Sequence, residues 1–377
     1  MNSVMGIIYT SKDEYALREL TSNRSVSALP VAARYRLIDF LLSNLVNSGV
    51  RNVGIMMQGN YQSLMDHLGS GKEWDLHTRN NGLFLLPPFR NNGNGAYAGI
   101  VDALKANMDY LRRSKQDTVL LMGGKVLFNA CFDDMFKLHA ETDAAITVMY
   151  SRLDPLTFDY SASSGHDRSF VRMDDTGCVI DIEVNPNVIN YGNILSDVML
   201  IKRTLLMHLI DIAASHNYHD FNKDVLPSLI KEEGLKVVGY RYDGYLRRIE
   251  TIKGYYNMSM DLLNPKIRRA LTAANPVYTK TRDDPPSLYL PGASVKNSLV
   301  ADGCIIEGTV ENCVLFRGTH ISKGARIKNS VIFQDCHIGK DCEIENAIFD
   351  KDIRIITGGR LVGFEQYPVV LGKGVTL

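Results

Sequence analysis

The sequence has no excess charge of either sign: Lys plus Arg and Asp plus Glu both number 42 in 377 residues. A chain with zero net charge lacks the broad basic field that draws proteins to nucleic acid or anionic lipid, so neither is expected as a partner. Cysteine is scarce, six in all with no C-x-x-C pair, which argues against a disulfide scaffold and against structural zinc. Reduced, structural thiols are expected, with no metal and no other cofactor. No run of about 18 apolar residues occurs, and the opening MNSVMGIIYT carries no basic leader. The chain therefore reads as cytoplasmic, with no membrane contact. Hydrophobic residues at 45% against 22% charged describe a chain that folds around a large core. Its length exceeds one ordinary domain of roughly 100 to 200 residues, so two domains are expected.

Up to about residue 265, apolar strand-like runs alternate with helical patterns, the rhythm of a parallel sheet covered on both faces by helices. Strands are expected at Val4 to Tyr9, Asn52 to Met57, Thr118 to Met122, Ala144 to Tyr150 and Leu235 to Tyr240. Helices are expected over Tyr35 to Ser48, closed by Gly49, and over Asp133 to Glu141. The expected organisation is an α/β domain over 1–265, a linker over 266–284 and a repeat domain over 285–377.

The repeat is the clearest signal. Apolar anchors fall at Leu315, Ile321, Ile327, Ile332, Ile338, Ile344, Phe349 and Ile355, spaced by five or six residues. Three short faces make a coil of about 17 residues. Small residues stand two positions before the first seven anchors: Cys313, Thr319, Ala325, Ser330, Cys336, Cys342 and Ala347. They suit the tight corners of a triangular solenoid, whose coils bury their apolar faces only by stacking. Hexapeptide repeats of this kind also occur in acyltransferases, which use a histidine base. Here His320 and His337 each precede an anchor by one and are expected to point outward as ordinary surface residues.

Residues 20–54, LTSNRSVSALPVAARYRLIDFLLSNLVNSGVRNVG, resemble the first βα region of the ADP-glucose pyrophosphorylases, or glucose-1-phosphate adenylyltransferases. The resemblance runs on through Trp74-Asp75-Leu76, YAGIVDA at 97–103, DFNKDVLP at 220–227, Gly244 to Leu263, and the repeats. It implies a doubly wound, Rossmann-like nucleotidyltransferase domain followed by a left-handed parallel β-helix. It also implies the chemistry of ATP plus glucose 1-phosphate giving ADP-glucose and pyrophosphate, in glycogen synthesis.

The residues that such chemistry needs are missing. Nucleotidyl transfer calls for backbone N–H groups around a triphosphate, a cation facing it, and carboxylates holding Mg²⁺. The family's glycine-rich loop falls on TSKDEYAL at 10–17, where no glycine survives and where Asp13 and Glu14 would repel phosphate; its arginine position is Ala16. The phosphate-facing lysine falls on Val26. The first metal-binding aspartate falls on Lys125 and the second on Arg248, so both carboxylates have become cations. The sugar-phosphate motif F-x-E-K-P reads Ile182 to Pro186, placing Val184 and Asn185 where its glutamate and lysine belong. Lys125 and Arg248 could instead supply the metal's charge to an anionic ligand.

Scaffold motifs are retained while catalytic positions are lost. The resemblance therefore points to a regulatory subunit, partnered with a catalytic homologue in a mixed tetramer and responding to a sugar-phosphate or phosphate effector. Arg34, Arg36 and Arg51 are the candidate effector contacts, because guanidinium groups bind such anions bidentately; ordinary surface or interface ion pairs are the other reading. Trp74, Asp102, Tyr35 and Tyr97 read as scaffold. Two other readings stay open: a weakly active nucleotidyltransferase using other residues, and a free-standing sugar-nucleotide sensor.

Overall fold

The computed structural model describes residues 4–10, 15–78, 81–88, 97–153, 168–230 and 234–377. The N-terminal part centres on a nine-stranded sheet among the described residues. Its strands in chain order are β1 (Val4–Tyr9), β2 (Val53–Met56), β3 (Leu83–Leu86), β4 (Thr118–Gly123), β5 (Ile146–Arg152), β6 (Ser169–Met173), β7 (Val179–Val184), β8 (Asn193–Lys202) and β9 (Val237–Arg241). The main path runs β7-β6-β8-β4-β1-β2-β3, with β5 joined to β8 and to β9.

β1 pairs in parallel with both β2 and β4, as the βαβ reading expects. The rest of the sheet is mixed, which corrects the expectation of parallel strands throughout. β8 lies antiparallel to both β4 and β5. The strands read at 118–122 and 144–150 do run the same way, but a reversed strand separates them. The β6–β7 hairpin precedes β8 and turns the chain around, a feature with too weak a local signal to be read from periodicity.

Helix α1 (Leu37–Asn47) packs on the sheet with ten of its eleven residues buried. It begins two residues later than the sequence reading because Tyr35 and Arg36 pair with Val31 and Pro30 as a short ladder. Asp39 then caps the start by accepting the Arg36 N–H at 2.9 Å. Gly49 closes the far end at φ 74, as expected. A Cβ at Gly6 would come within 2.8 Å of Leu45, so the glycine sets how closely α1 approaches β1. Helices α2 (Gln62–Leu68), α3 (Ile100–Ala106), α4 (Met108–Arg113), α5 (Asp133–Glu141) and α6 (Arg203–Ser215) complete the covering layers, followed by α7 (Ile252–Asp261) and α8 (Pro265–Thr272).

α8 lies within the stretch expected to be linker, started by Pro265 and by the Asn264 side chain accepting from Lys266 N–H. The chain after it runs along α1: Asn47 donates to the Pro276 carbonyl, Tyr278 N–H to Ser43, and Thr279 to Asp39 at 2.6 Å.

The C-terminal part is a left-handed parallel β-helix of three five-stranded parallel sheets. All eight predicted anchors and all seven corner residues are buried. The later coils match the 17-residue reading, with Ile321 on Ile338 and Ile338 on Ile355. The step from Tyr289 to Ile306 also spans 17 residues, but the next is tighter, because Ile306 sits against Ile321, fifteen residues on. Cys304 joins Cys313, Cys336 and Cys342 as a buried free thiol. One apolar cluster carries Phe40, Tyr255 and Tyr256 from the sheet side together with Phe316, Phe333 and Ile348 from the solenoid. This shared cluster joins the two parts, each of which also has apolar clusters of its own.

Candidate functional site

In a doubly wound sheet, ligands meet the crevice at the carboxyl ends of the parallel strands. Here that edge carries Tyr9 at the end of β1 and Gly123, Gly124 and Lys125 at the end of β4. A two-residue ladder pairs Arg248 with Val126, and Ile249 N–H donates to the Lys125 carbonyl at 2.8 Å. The backbone thus places the two cations side by side, where the resemblance implies two metal-binding carboxylates.

Neither cation stands alone. Arg248 meets Asp197 at 2.9 Å and Glu250 at 3.1 Å, Lys125 meets Glu250 at 3.6 Å, and Arg168 meets Glu250 at 3.1 Å. Asn222 donates to Asp197. Burial by itself would ease the Arg248 proton off, but the carboxylates of Asp197 and Glu250 more than reverse this and hold it charged. Tyr9 is pushed well above the ordinary phenol range, first by burial and then by Asp197 and Asp220. The crevice floor is a closed network of fixed cations and anions.

Asp197 is the element that the sequence reading missed. It lies where the β8–β5 register shifts, between Leu195 and Met199, and it adopts left-handed φ 54. Aspartate tolerates that conformation better than most residues. A bulge re-aims a side chain out of the alternating pattern, and here it directs the carboxylate to Arg248. A Cβ on Gly123 would lie 2.9 Å from the Asp197 Cβ, so that glycine makes room for the aspartate. A visible signal existed: one acid inside the otherwise apolar run NILSDVMLIK.

The other positions singled out by the resemblance make packing, strand-pairing and hydrogen-bond contacts. Val26 is buried in the shared core. Asn185 accepts the Arg168 N–H through its side chain at 2.8 Å, and Val184 closes β7 against Ser169. Asp13 and Glu14 of the altered loop lie outside the described residues. Trp74 is buried edge-on to His67, Tyr35 packs edge-on to Phe40, Asp102 caps α3 by accepting the Gly99 N–H, and the Tyr97 carbonyl accepts from Gln58. Among the described residues, no group of three or more His, Cys, Asp or Glu side chains is placed to hold a metal ion, and no helix is long and apolar enough to cross a membrane.

The three candidate effector arginines divide between the two ends of α1, about 16 Å apart for eleven residues at 1.5 Å each. Arg51 donates to the Val46 carbonyl at the C-terminal end. Arg34 is exposed ahead of the N-terminal end. Arg36 reaches Ser63, donating to its carbonyl at 2.7 Å. Around Arg36 the structure gathers cations that the sequence reading did not connect. Its pKa is lowered to about 10, first by burial and then, against the opposing pull of Asp39, by Arg24 and Arg282. Lys351 is lowered to about 8 by burial, then by Arg36 and Arg24, with Arg282 adding to them. Arg24 is held by Asp350 at 2.7 Å, both buried. This cluster of positive charge brings Arg24 and Arg36 of the sheet domain to Lys351 of the solenoid.

In the solenoid, His320 and His337 face outward on adjacent coils with Nδ1 atoms 2.9 Å apart, and His320 lies 3.7 Å from Glu307.

Comparison with known proteins matches these parts to two families. The family described as nucleotidyl transferase matches residues 16–264, and the GlmU-like, C-terminal hexapeptide family matches residues 291–367. The chain is 36% identical to the glycogen biosynthesis protein GlgD of Bacillus subtilis (strain 168), over 99% of this chain and 97% of that protein. It is 33% identical to the glucose-1-phosphate adenylyltransferase of Geobacillus stearothermophilus, over 83% of this chain and 80% of the enzyme. Against the glucose-1-phosphate adenylyltransferase of Thermotoga neapolitana it is 31% identical, over 87% and 77%.

Proposed function

The chain belongs to the nucleotidyl transferase family, in the group that holds GlgD and the glucose-1-phosphate adenylyltransferases, and on that premise we propose that it is a regulatory, catalytically impaired subunit in glycogen biosynthesis. Its work is to modulate a catalytic homologue in a mixed oligomer, expected to be a tetramer. The observation that carries this reading is the Asp197–Arg248–Glu250 network. The crevice already holds the charges that Mg²⁺ and a triphosphate would bring, fixed in side chains and compensated among themselves. For Mg²⁺ to bind, the carboxylates would have to exchange buried ion pairs for a hydrated cation. Lys125 and Arg248 face Glu250 and Asp197, and this leaves little of their charge for an incoming anion.

The retained scaffold supports the regulatory half of the proposal. We read 1–265 as the domain that meets the catalytic subunit's counterpart and 285–377 as the β-helix that joins it in assembly. Effector anions are assigned to the cation cluster of Arg36 with Arg24, Arg282 and Lys351, and to Arg34, exposed two residues before Arg36. Arg51 is assigned a weaker part, since it already donates to a helix-end carbonyl. Coupling between such a cluster and the partner's active site needs only about 1 to 3 kcal/mol.

The test is ADP-glucose formation from ATP and glucose 1-phosphate with Mg²⁺, using this chain alone, the catalytic homologue of the same organism alone, and the two mixed. Silence alone with an altered rate or effector response in the mixture supports the proposal. Robust turnover by this chain alone overturns it.

A further inference from the structure

A cavity of about 760 Å³ lies between α7, the start of α8 and one corner of the β-helix. No catalytic or effector role described above uses it. Its solenoid wall is a row of asparagines, Asn297, Asn312 and Asn329, at equivalent corners of successive coils. Each sits at left-handed φ, between 43 and 52, which asparagine tolerates and which makes the tight turn. The amides form a ladder: Asn297 Nδ2 donates to Asn312 Oδ1 at 2.8 Å, and Asn312 Nδ2 donates to Asn329 Oδ1 at 3.2 Å. A primary amide has two N–H donors and two acceptor lone pairs, so every rung retains hydrogen-bonding capacity toward the cavity.

The opposite wall is helical and fixed to the ladder. Tyr256 of α7 donates to the Asn329 carbonyl at 2.7 Å and to Asn346 Oδ1 at 3.3 Å. Asn257 and Asn264 add two further amides, and Met260, Leu263 and Pro265 add apolar surface. The charges are sparse and lean negative. Arg247 is bound to Asp261 at 2.7 Å, leaving Glu365 as the other charged side chain of the lining. Glu365 sits in a tight turn whose ends, Phe364 and Tyr367, exchange backbone hydrogen bonds. Those two aromatic rings are 76% and 79% exposed.

The geometry points to a binding groove for a neutral oligosaccharide. Amides that both donate and accept match hydroxyl groups, which do the same. A row repeating at the strand spacing of ~4.8 Å presents that match periodically, as a chain of repeating sugar units requires. The apolar surface of Met260, Leu263 and Pro265 accepts the C–H faces of sugar rings. The negative lean disfavours phosphates and nucleotides, which sets this groove apart from the cation cluster around Arg36. The groove stands on its own lining; only the choice of an α-1,4-linked glucan as the occupant rests on the glycogen reading above.

The test is titration of the full chain with maltoheptaose, with cellopentaose and with glucose 1-phosphate, read by calorimetry and by saturation-transfer NMR. Saturable maltoheptaose binding is expected, with none from glucose 1-phosphate at this site. Asn312→Gly keeps the left-handed corner while deleting the amide, and should weaken binding at least tenfold. Asn257→Ala deletes an amide of the helical wall and should weaken it several-fold with the melting temperature unchanged. Cellopentaose binding that both variants weaken, without maltoheptaose binding, would uphold the oligosaccharide groove and overturn the glucan assignment. Absence of binding to either oligosaccharide, or binding that neither variant alters, overturns the groove itself. Neither result depends on whether the chain turns over ATP, which the subunit-mixing assay measures separately.

Discussion

Asp197 and Arg248 lie 51 residues apart in sequence and meet at 2.9 Å, with the aspartate turned toward the arginine by a bulge in β8. The pair stands where the resemblance implies a metal carboxylate, and both side chains are nearly buried. Arginine without its acids, or the acids without arginine, would leave an uncompensated charge in the crevice floor.

Arg248→Ala should therefore destabilise the chain by roughly 3 to 5 kcal/mol, the usual cost of breaking a buried pair from one side. Chemical denaturation measures it. The double variant Asp197→Asn with Arg248→Met removes both charges and should cost less than the single one. Equal costs would mean that the pair contributes packing rather than charge balance.

Restoring carboxylates should create a need for metal. With Lys125→Asp and Arg248→Asp together, two new acids join Asp197 and Glu250 in the floor, four in all, and like charges repel. The double variant should melt well below the parent and regain stability in millimolar Mg²⁺, whereas the parent's melting temperature should not respond. Turnover should stay absent from the variant, because Val184, Asn185 and the glycine-free loop remain.

Anion binding around Arg36 should depend on pH through Lys351. The folded pKa of this lysine is about 8, below the ordinary value near 10.4, so the unfolded chain holds more protons between those values and stability rises with pH across that window. A bound anion opposes the depression and favours the protonated lysine. Sulfate should therefore raise the melting temperature most below pH 8, and the gain should fade towards pH 9. Lys351→Met should remove most of it at every pH.

The paired histidines should make the solenoid acid-sensitive through His337. His337 is held below the ordinary range by burial, by His320 and by Arg354, while Glu307 faces His320 on its other side. The unfolded chain takes up a proton at this histidine near pH 6.5 where folded His337 resists it. Stability is thus lost as pH falls from about 6.5 toward the lower folded value. The urea midpoint should drop between pH 7.5 and 5.5, and His337→Gln should reduce that drop.

Much of the architecture was legible because it is written in short-range pattern. The anchors from Leu315 to Ile355 and the small corners before them are local, and burial follows them residue by residue. β1, α1 and β2 follow equally from apolar runs and from Gly49. The reversed strand β8 was not legible, since strand direction depends on which neighbour accepts it and an apolar run carries no such information. The solenoid coil from Ile306 to Ile321 has fifteen residues rather than 17, a difference visible only once the strands are in register.

The sequence by itself determined that a nucleotidyl transferase scaffold and a β-helix are present, because residue identity and periodicity are properties of the chain. Tertiary structure decided what the side chains at the positions singled out by the resemblance touch. Arg168 reaches Glu250 across 82 residues and Arg24 reaches Asp350 across 326, while Arg282 and Lys351 come to Arg36 from much later in the chain. Electrostatic pairing depends on distance through space and on burial, and neither quantity exists until the sheet, the bulge and the solenoid have been folded against one another.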